Sequence, residues 1–325
     1  MAAAEREQAR TFARRAGAAA PEGPGDPRGG SADRPGTIGA VLTAVVRDQL
    51  ETLVVLDGAV RLDQPDAVHR MRVAVRRLRS TLRAHRRSLD QAAEPLAAEL
   101  GALGRSLGAA RDSEVVGGLL PDRLAALPAT ERPGPMHERI SAWSAEQYRR
   151  DRDRLLTVLD GAGYLRLLAA LDRFAADPVR PERAGRAAGA ELRRVLKRER
   201  LRVTGRMDGA LGLPPGAERD QALHAARKAA KRARYAAEGA RPVCGKRARR
   251  LVRRMKALQE LLGERQDSLL ARQALLLVAA EAQTRGEPGF GYGVLYAAAG
   301  DDLAGCDRRL PEVWAATRRG LRRLR

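Results

Sequence analysis

Residues 66–87, DAVHRMRVAVRRLRSTLRAHRR, carry eight arginines and two histidines against one carboxylate, Asp66. Their apolar members, Val68, Met71, Val75, Leu78 and Leu82, return every three or four positions, the period of a helix with one face in a core. At about 100° per residue, His69, Arg72, Arg76, Arg79 and Arg83 fall within a stripe roughly 80° wide beside that apolar arc. The basic stripe is therefore expected where the helix meets its neighbours, and not on the side opposite the core. Like charges three and four residues apart repel by a few tenths of a kcal/mol per pair, and almost no carboxylate is interleaved here. A helix shaped only for solubility mixes both signs, so the stripe makes physical sense when a bound polyanion completes it.

The same pattern returns at an offset of 155 residues. VHRMRVAVRRLRS from Val68 lies over LHAARKAAKRARY from Leu223, pairing His69 with His224, Arg72 with Arg227, Arg76 with Lys231, Arg77 with Arg232 and Arg79 with Arg234. Without a gap, LGRSLGAARDS then pairs with LQELLGERQDS, setting Gly108 over Gly263 and Asp112 over Asp267. Arg-rich composition alone does not keep register over that length. The repeat predicts two homologous helical halves, 38–176 and 181–325, arranged as a pseudo-twofold pair of bundles and not as an open array. Residues 177–181 are their expected join.

The rest of the folded part reads as helix. IGAVLTAVVRDQLETLVVLDGAV, from Ile38, repeats apolar residues at helical spacing, and alternating strand-like runs are absent. Clusters of Gly, Pro and Asp near 63–66, 117–135, 177–181, 212–220, 239–245 and 285–293 are expected breaks. The predicted product is an all-α protein of roughly eight to ten helices. Residues 1–37, with APEGPGDPRGGSADRPG, read as a flexible tail whose six basic and five acidic residues nearly cancel. The net charge of +21 therefore belongs to the folded part, and it favours polyanionic partners.

Composition narrows the classes. Ten aromatic residues in 325 leave few stacking platforms for exposed bases, and of them Tyr235 alone lies in one of the two basic stretches. Cys244 and Cys306 are too few for a disulfide framework. No apolar run is long enough for a membrane span, and the charged N-terminus is unlike a secretory signal. The expected protein is soluble and cytoplasmic. His69 and His224 open the two stripes at matched places, where an imidazole donates to a phosphate oxygen or adds charge when protonated. Asp112 and Asp267 lack a partner at metal-ligand spacing and are expected to cap a following helix or to hold a stripe arginine.

These residues resemble a known family. DAVHRMRVAVRRLRSTLR and LHAARKAAKRARYAAE, each followed by a Leu-Gly element ending in ARDSEV or RQDSLL, are similar to the two signature regions of CHAD domains, the conserved histidine α-helical domain family. The resemblance covers nearly everything after the tail. It implies two pseudo-symmetric four-helix bundles that bind inorganic polyphosphate along a basic groove or pore. The family's histidines match His69 and His224. Its basic positions match Arg72, Arg76, Arg77 and Arg79 in the first half, and Arg227, Lys228, Lys231, Arg232 and Arg234 in the second. Arg193, Arg194 and Lys197, within ELRRVLKRER, and Lys256 resemble further basic positions of the family. The ExExK strand motif of the CYTH domains to which members are often fused does not occur, so the chain looks like a stand-alone member.

The expected function is non-catalytic binding of polyphosphate, with no cofactor, no metal and other polyanions as secondary partners. The expected location is the cytoplasm, with association to polyphosphate granules. Arginine forks grip phosphate oxygens bidentately while Lys and His act as point donors, so charge is read and no base sequence is. The alternative is a protein that binds the DNA or RNA backbone, which the charge alone permits. An enzyme acting on phosphoanhydrides needs carboxylates for Mg²⁺ and a placed nucleophile, and the stripes supply neither. A scaffold on anionic membranes is the weakest competitor.

Overall fold

The computed structural model describes residues 34–132 and 134–323; the expected tail, apart from its last four residues, lies outside the described residues. Among the described residues the chain is all-α, with ten α-helices, one 3-10 turn at Ala129–Glu131, and two isolated β-bridges. The helices are α1 Ile38–Arg61, α2 Ala67–His85, α3 Ala93–Ala125, α4 Met136–Asp160, α5 Ala162–Ala176, α6 Pro181–Ala184, α7 Ala188–Leu211, α8 Ala217–Gly239, α9 Arg241–Thr284 and α10 Phe290–Arg322. No helix among them is long and apolar enough to cross a membrane.

Local chemistry starts and stops these helices. Thr37 caps α1, its Oγ1 accepting from Ala40 N at 3.3 Å, which satisfies one of the orphan donors of the first turn. Between α1 and α2 the chain reverses through Asp63 and Asp66, both at positive φ, a conformation aspartate tolerates better than most side chains. Of the breaks expected near 177–181, 212–220 and 285–293, residues 177–180, 212–216 and 285–289 fall between helices, and the remainder begin α6, α8 and α10. At 239–245 only Ala240 separates α8 from α9, and Gly245 then interrupts α9 at φ 47°.

The break expected to begin at 117 does not occur there. α3 runs on through Gly117, Gly118 and Pro121 to Ala125, because Val116, Leu120 and Leu124, spaced one turn apart, are buried against Ile140, Trp143 and Val278. Burying three such side chains contributes about 1.5–3 kcal/mol each, which offsets helix penalties of about 1 kcal/mol per glycine and about 3 kcal/mol for proline.

Two compact units divide the chain. The first takes the described residues to Gly108, with Leu155–Arg202 and Arg232–Val252; the second takes Ala109–Arg154, Val203–Lys231 and Arg253–Arg325. The units are thus composed differently from the sequence halves 38–176 and 181–325, since each draws on both. α3 and α9, at 33 and 44 residues, exceed the roughly 30 Å of a small-domain core and supply segments to both units.

In the first unit α1 packs on α2, α5 and α6, with Leu53, Met71, Leu78, Leu89 and Leu100 fully excluded from solvent. The second unit buries Met136, Ile140, Val278, Tyr292 and Ala299. It also buries Arg265, which pairs with Asp307 and Asp220, and Trp314, whose Nε1 donates to Asp208 Oδ1 at 2.8 Å.

Candidate functional site

On α2 the apolar arc is buried, while His69, Arg72, Arg76 and Arg79 are half-buried and Arg83 is exposed. The basic stripe lies along the margin of the core, as its angular position requires. Glycines of α3 make room for it. A Cβ added at Gly108 would stand 3.8 Å from Arg72 Nη2, and one at Gly101 only 2.9 Å from the Arg79 guanidinium carbon. Arg79 Nε donates to Ala97 O at 3.1 Å. Burial, then the charges of Arg83 and Arg105, lower the Arg79 pKa from its ordinary value. In the second unit Gly263 receives Arg227 with the same 3.8 Å spacing to Nη2. The position matching Gly101 is Lys256, so Arg234 has no equivalent glycine and turns elsewhere.

It turns to Tyr235. In the first unit this side chain is buried, and its Oη accepts from Arg76 Nε at 3.0 Å and from Arg234 Nη2 at 3.3 Å. The guanidinium carbons of Arg76, Arg77 and Arg234 stand 5.7, 5.7 and 5.0 Å from the ring centroid, within cation–π range. Glu238 faces Arg77 at 3.6 Å and Arg234 at 3.7 Å. Three cations from the two matched motifs are thereby gathered on one phenol with one carboxylate beside them. His69, Arg77, Tyr235 and Glu238 also line a recess of about 620 Å³ whose other wall is α1, with Asp48, Gln49 and Thr52. Sequence reasoning weighed Tyr235 only as a base-stacking platform and missed Glu238. The available signal was their spacing of three residues on one helix face, next to Arg234.

Other expected site residues are committed differently. Arg232 Nε donates to Glu199 Oε2 at 2.6 Å; that carboxylate is fully buried, with Arg202 at 3.6 Å. Arg232 thus neutralises an interior acid. Arg194 pairs with the buried Glu191 at 2.6 Å, and Lys256 with Glu260 at 3.7 Å on an exposed face. Arg193 and Lys197 are exposed on α7. Among the described residues no shared partner gathers Arg193, Arg194, Lys197 or Lys256 with the Tyr235 cluster.

In the second unit His224, Arg227, Lys228 and Lys231 share α8. His224 Nδ1 lies 3.2 Å from Gln266 Oε1. Burial, and then the charge of Lys228, depress its pKa. Asp267 stands in the field of Arg227 and Lys231, and of its repeat counterpart Asp112; burial, the largest influence, raises its pKa. Neither aspartate caps a helix, since both sit inside α3 and α9, well before Ala125 and Thr284. Among the described residues no three His, Cys, Asp or Glu side chains cluster to hold a metal ion.

Comparison with known proteins places this architecture. Two uncharacterized proteins of Mycobacterium tuberculosis, from strains CDC 1551 and H37Rv, are each 36% identical over 288 residues, covering 86% of this chain and 53% of theirs. The chain thus spans about half the length of these curated relatives. The crystal structure of the CHAD domain from the plant Ricinus communis has a similar fold, with a TM-score of 0.66 at 24% identity over 89% of this chain and 93% of that one. PptA from Streptomyces chartreusis matches with a TM-score of 0.67 at 18% identity, over 85% and 98%. Residues 44–276, which span every helix from the first turns of α1 into α9, match the CHAD domain family, and to that family the chain belongs.

Proposed function

We propose that this protein binds inorganic polyphosphate without catalysing a reaction on it, through the matched basic faces of α2 and α8. The observation that carries this reading is the gathering of Arg76, Arg77 and Arg234 on Tyr235 with a single carboxylate, Glu238, beside them. Within the first unit, cations of both sequence halves thus line one surface, the local form of the groove or pore expected from the repeat. The assigned side chains are mostly cationic donors, which suit the holding of phosphate oxygens. An entering phosphate takes the place of Glu238 as counter-ion to Arg77 and Arg234, while Tyr235 keeps the guanidinium planes from splaying apart. Membership of the CHAD domain family adds support.

Binding by many phosphate contacts releases counter-ions, so affinity is expected to fall steeply with salt, by about one order of log K per log salt for each phosphate neutralised. The test is titration of the full chain with long-chain polyphosphate between low and high salt, beside the variant R72E/R76E/R227E/K231E. A loss of about a hundredfold or more in that variant supports the assignment, each reversed cation acting on a charge-assisted contact. Undiminished binding would refute it. Duplex DNA that displaces polyphosphate at equal phosphate concentration would favour the nucleic-acid reading instead.

A further inference from the structure

A second basic recess, of about 590 Å³, lies in the first unit at the loops that follow α2 and precede α6. Four arginines line it: Arg86 and Arg87 from one loop, Arg180 from the other and Arg183 from α6. The two loops are pinned together. Leu89 and Val179 form an isolated antiparallel bridge, and both side chains are buried. Asp90 N donates to Pro178 O and Arg180 N to Ser88 O, each at 3.0 Å. Arg180 Nε adds a bond to Leu89 O at 2.7 Å, joining segments 91 residues apart. The guanidinium groups are therefore carried on a rigid frame, which lowers the entropy lost when a ligand orders them.

Three carboxylates share the lining, Asp90, Glu94 and Glu182. Asp90 is turned to Ala92 N, which donates to its Oδ1 at 2.8 Å ahead of α3. Among the described residues none of the four arginines forms an ion pair with any of the three. The positive end of the α3 dipole faces the same space through Ala93 and Glu94. Arg198 is held below its ordinary pKa by burial, with Glu199 opposing the fall and Arg87 and Arg86 adding to it. The lining itself carries four arginines against three carboxylates. Ala93 is the only apolar residue in the lining, which is otherwise charged apart from Gln91.

We propose that this recess is a second anion site, for a short inorganic phosphate of pyrophosphate or tripolyphosphate size, gripped by Arg86, Arg87, Arg180 and Arg183. The three carboxylates leave the lining a small net positive charge, which suits a compact anion held by guanidinium forks better than a long chain with many uncompensated charges. The site rests on its own residues and does not depend on the polyphosphate reading of α2 and α8.

The test is calorimetric titration of the full chain with tripolyphosphate. R87A/R183A, which leaves the Arg180 bond to Leu89 in place, is expected to lose about tenfold or more in affinity, and R149A/R309A, at exposed arginines outside both basic sites, to stay within about twofold of the parent. Unchanged affinity in R87A/R183A, an equal loss in both variants, or no binding by the parent overturns the site. A measurement on the unsubstituted protein guards against misfolding of the variant: tripolyphosphate should protect Arg87 and Arg183 from phenylglyoxal, read by mass spectrometry, and lack of protection overturns the proposal. Long-chain polyphosphate titrated into R76A/R227A reports separately on α2 and α8, so the failure of one reading is not mistaken for failure of the other.

Discussion

Arg232→Ala separates a ligand-binding role from a structural one, because the residue matches a basic position of the family yet faces inward. Its partner, Glu199, has no solvent exposure and takes one hydrogen bond on Oε2 from Arg232 at 2.6 Å; Oε1 has no hydrogen-bond partner. Removing the arginine strands a buried carboxylate that keeps an ion pair with Arg202 at 3.6 Å. Breaking a buried pair from one side costs about 3–5 kcal/mol. The surviving contact with Arg202 places this case at the lower end, about 3 kcal/mol, equivalent to a fall of about 5 °C in Tm for a chain of this length. Urea and thermal unfolding of the parent, R232A and E199A/R232A measure it. The double variant should recover most of the loss, since no stranded charge is left. Polyphosphate affinity of folded R232A should change far less than that of R76A. If R232A matches the parent in stability and loses polyphosphate binding, the structural reasoning is wrong.

Two further outcomes follow from buried groups. His85 is fully buried, and burial, reinforced by Arg198, lowers its pKa to about 4. The unfolded chain takes up a proton near pH 6.5 that the folded chain refuses, so stability is lost as pH falls from about 6.5 to about 4. The loss is about 3 kcal/mol over that window by linkage, and His85→Leu should flatten this part of a stability–pH curve; an unchanged slope would contradict the burial argument. On α3, Gly104→Ala brings a Cβ to 3.7 Å from Val75, an ordinary contact, whereas Gly101→Ala drives one to 2.9 Å from the flexible end of Arg79. The first should gain about 0.5–1 kcal/mol of helix stability. The second should forfeit part of that gain by displacing Arg79 from Ala97 O, and equal thermal shifts would show that Arg79 is not held as described.

How much of this was legible beforehand differs by feature. Helical periodicity and the placing of the basic stripe at the core margin follow from residue spacing, since Val68, Met71, Val75, Leu78 and Leu82 are buried and the cations beside them are not. The helical continuation through Pro121 was not legible, because the burial of Leu120 and Leu124 depends on residues of α4 and α9 far away in sequence. For Asp112 and Asp267 the capping alternative fails for the same reason, since nothing local tells how far α3 and α9 run, whereas the alternative of a nearby stripe cation agrees with Asp267 lying in the field of Arg227 and Lys231.

The sequence by itself determined the helical class, the two matched basic motifs, the positive charge and the resemblance that the family match bears out. Each is a property of local spacing or of composition. Tertiary structure alone decided which partner within the protein each cation finds. Arg76, Arg77 and Arg234 meet on Tyr235, Arg232 is drawn to buried Glu199, and Arg79 is held to α3 through Ala97. Those assignments depend on which carboxylate, phenol or glycine lies across the packing interface, and a guanidinium on a flexible stem goes to whichever partner the fold brings within reach.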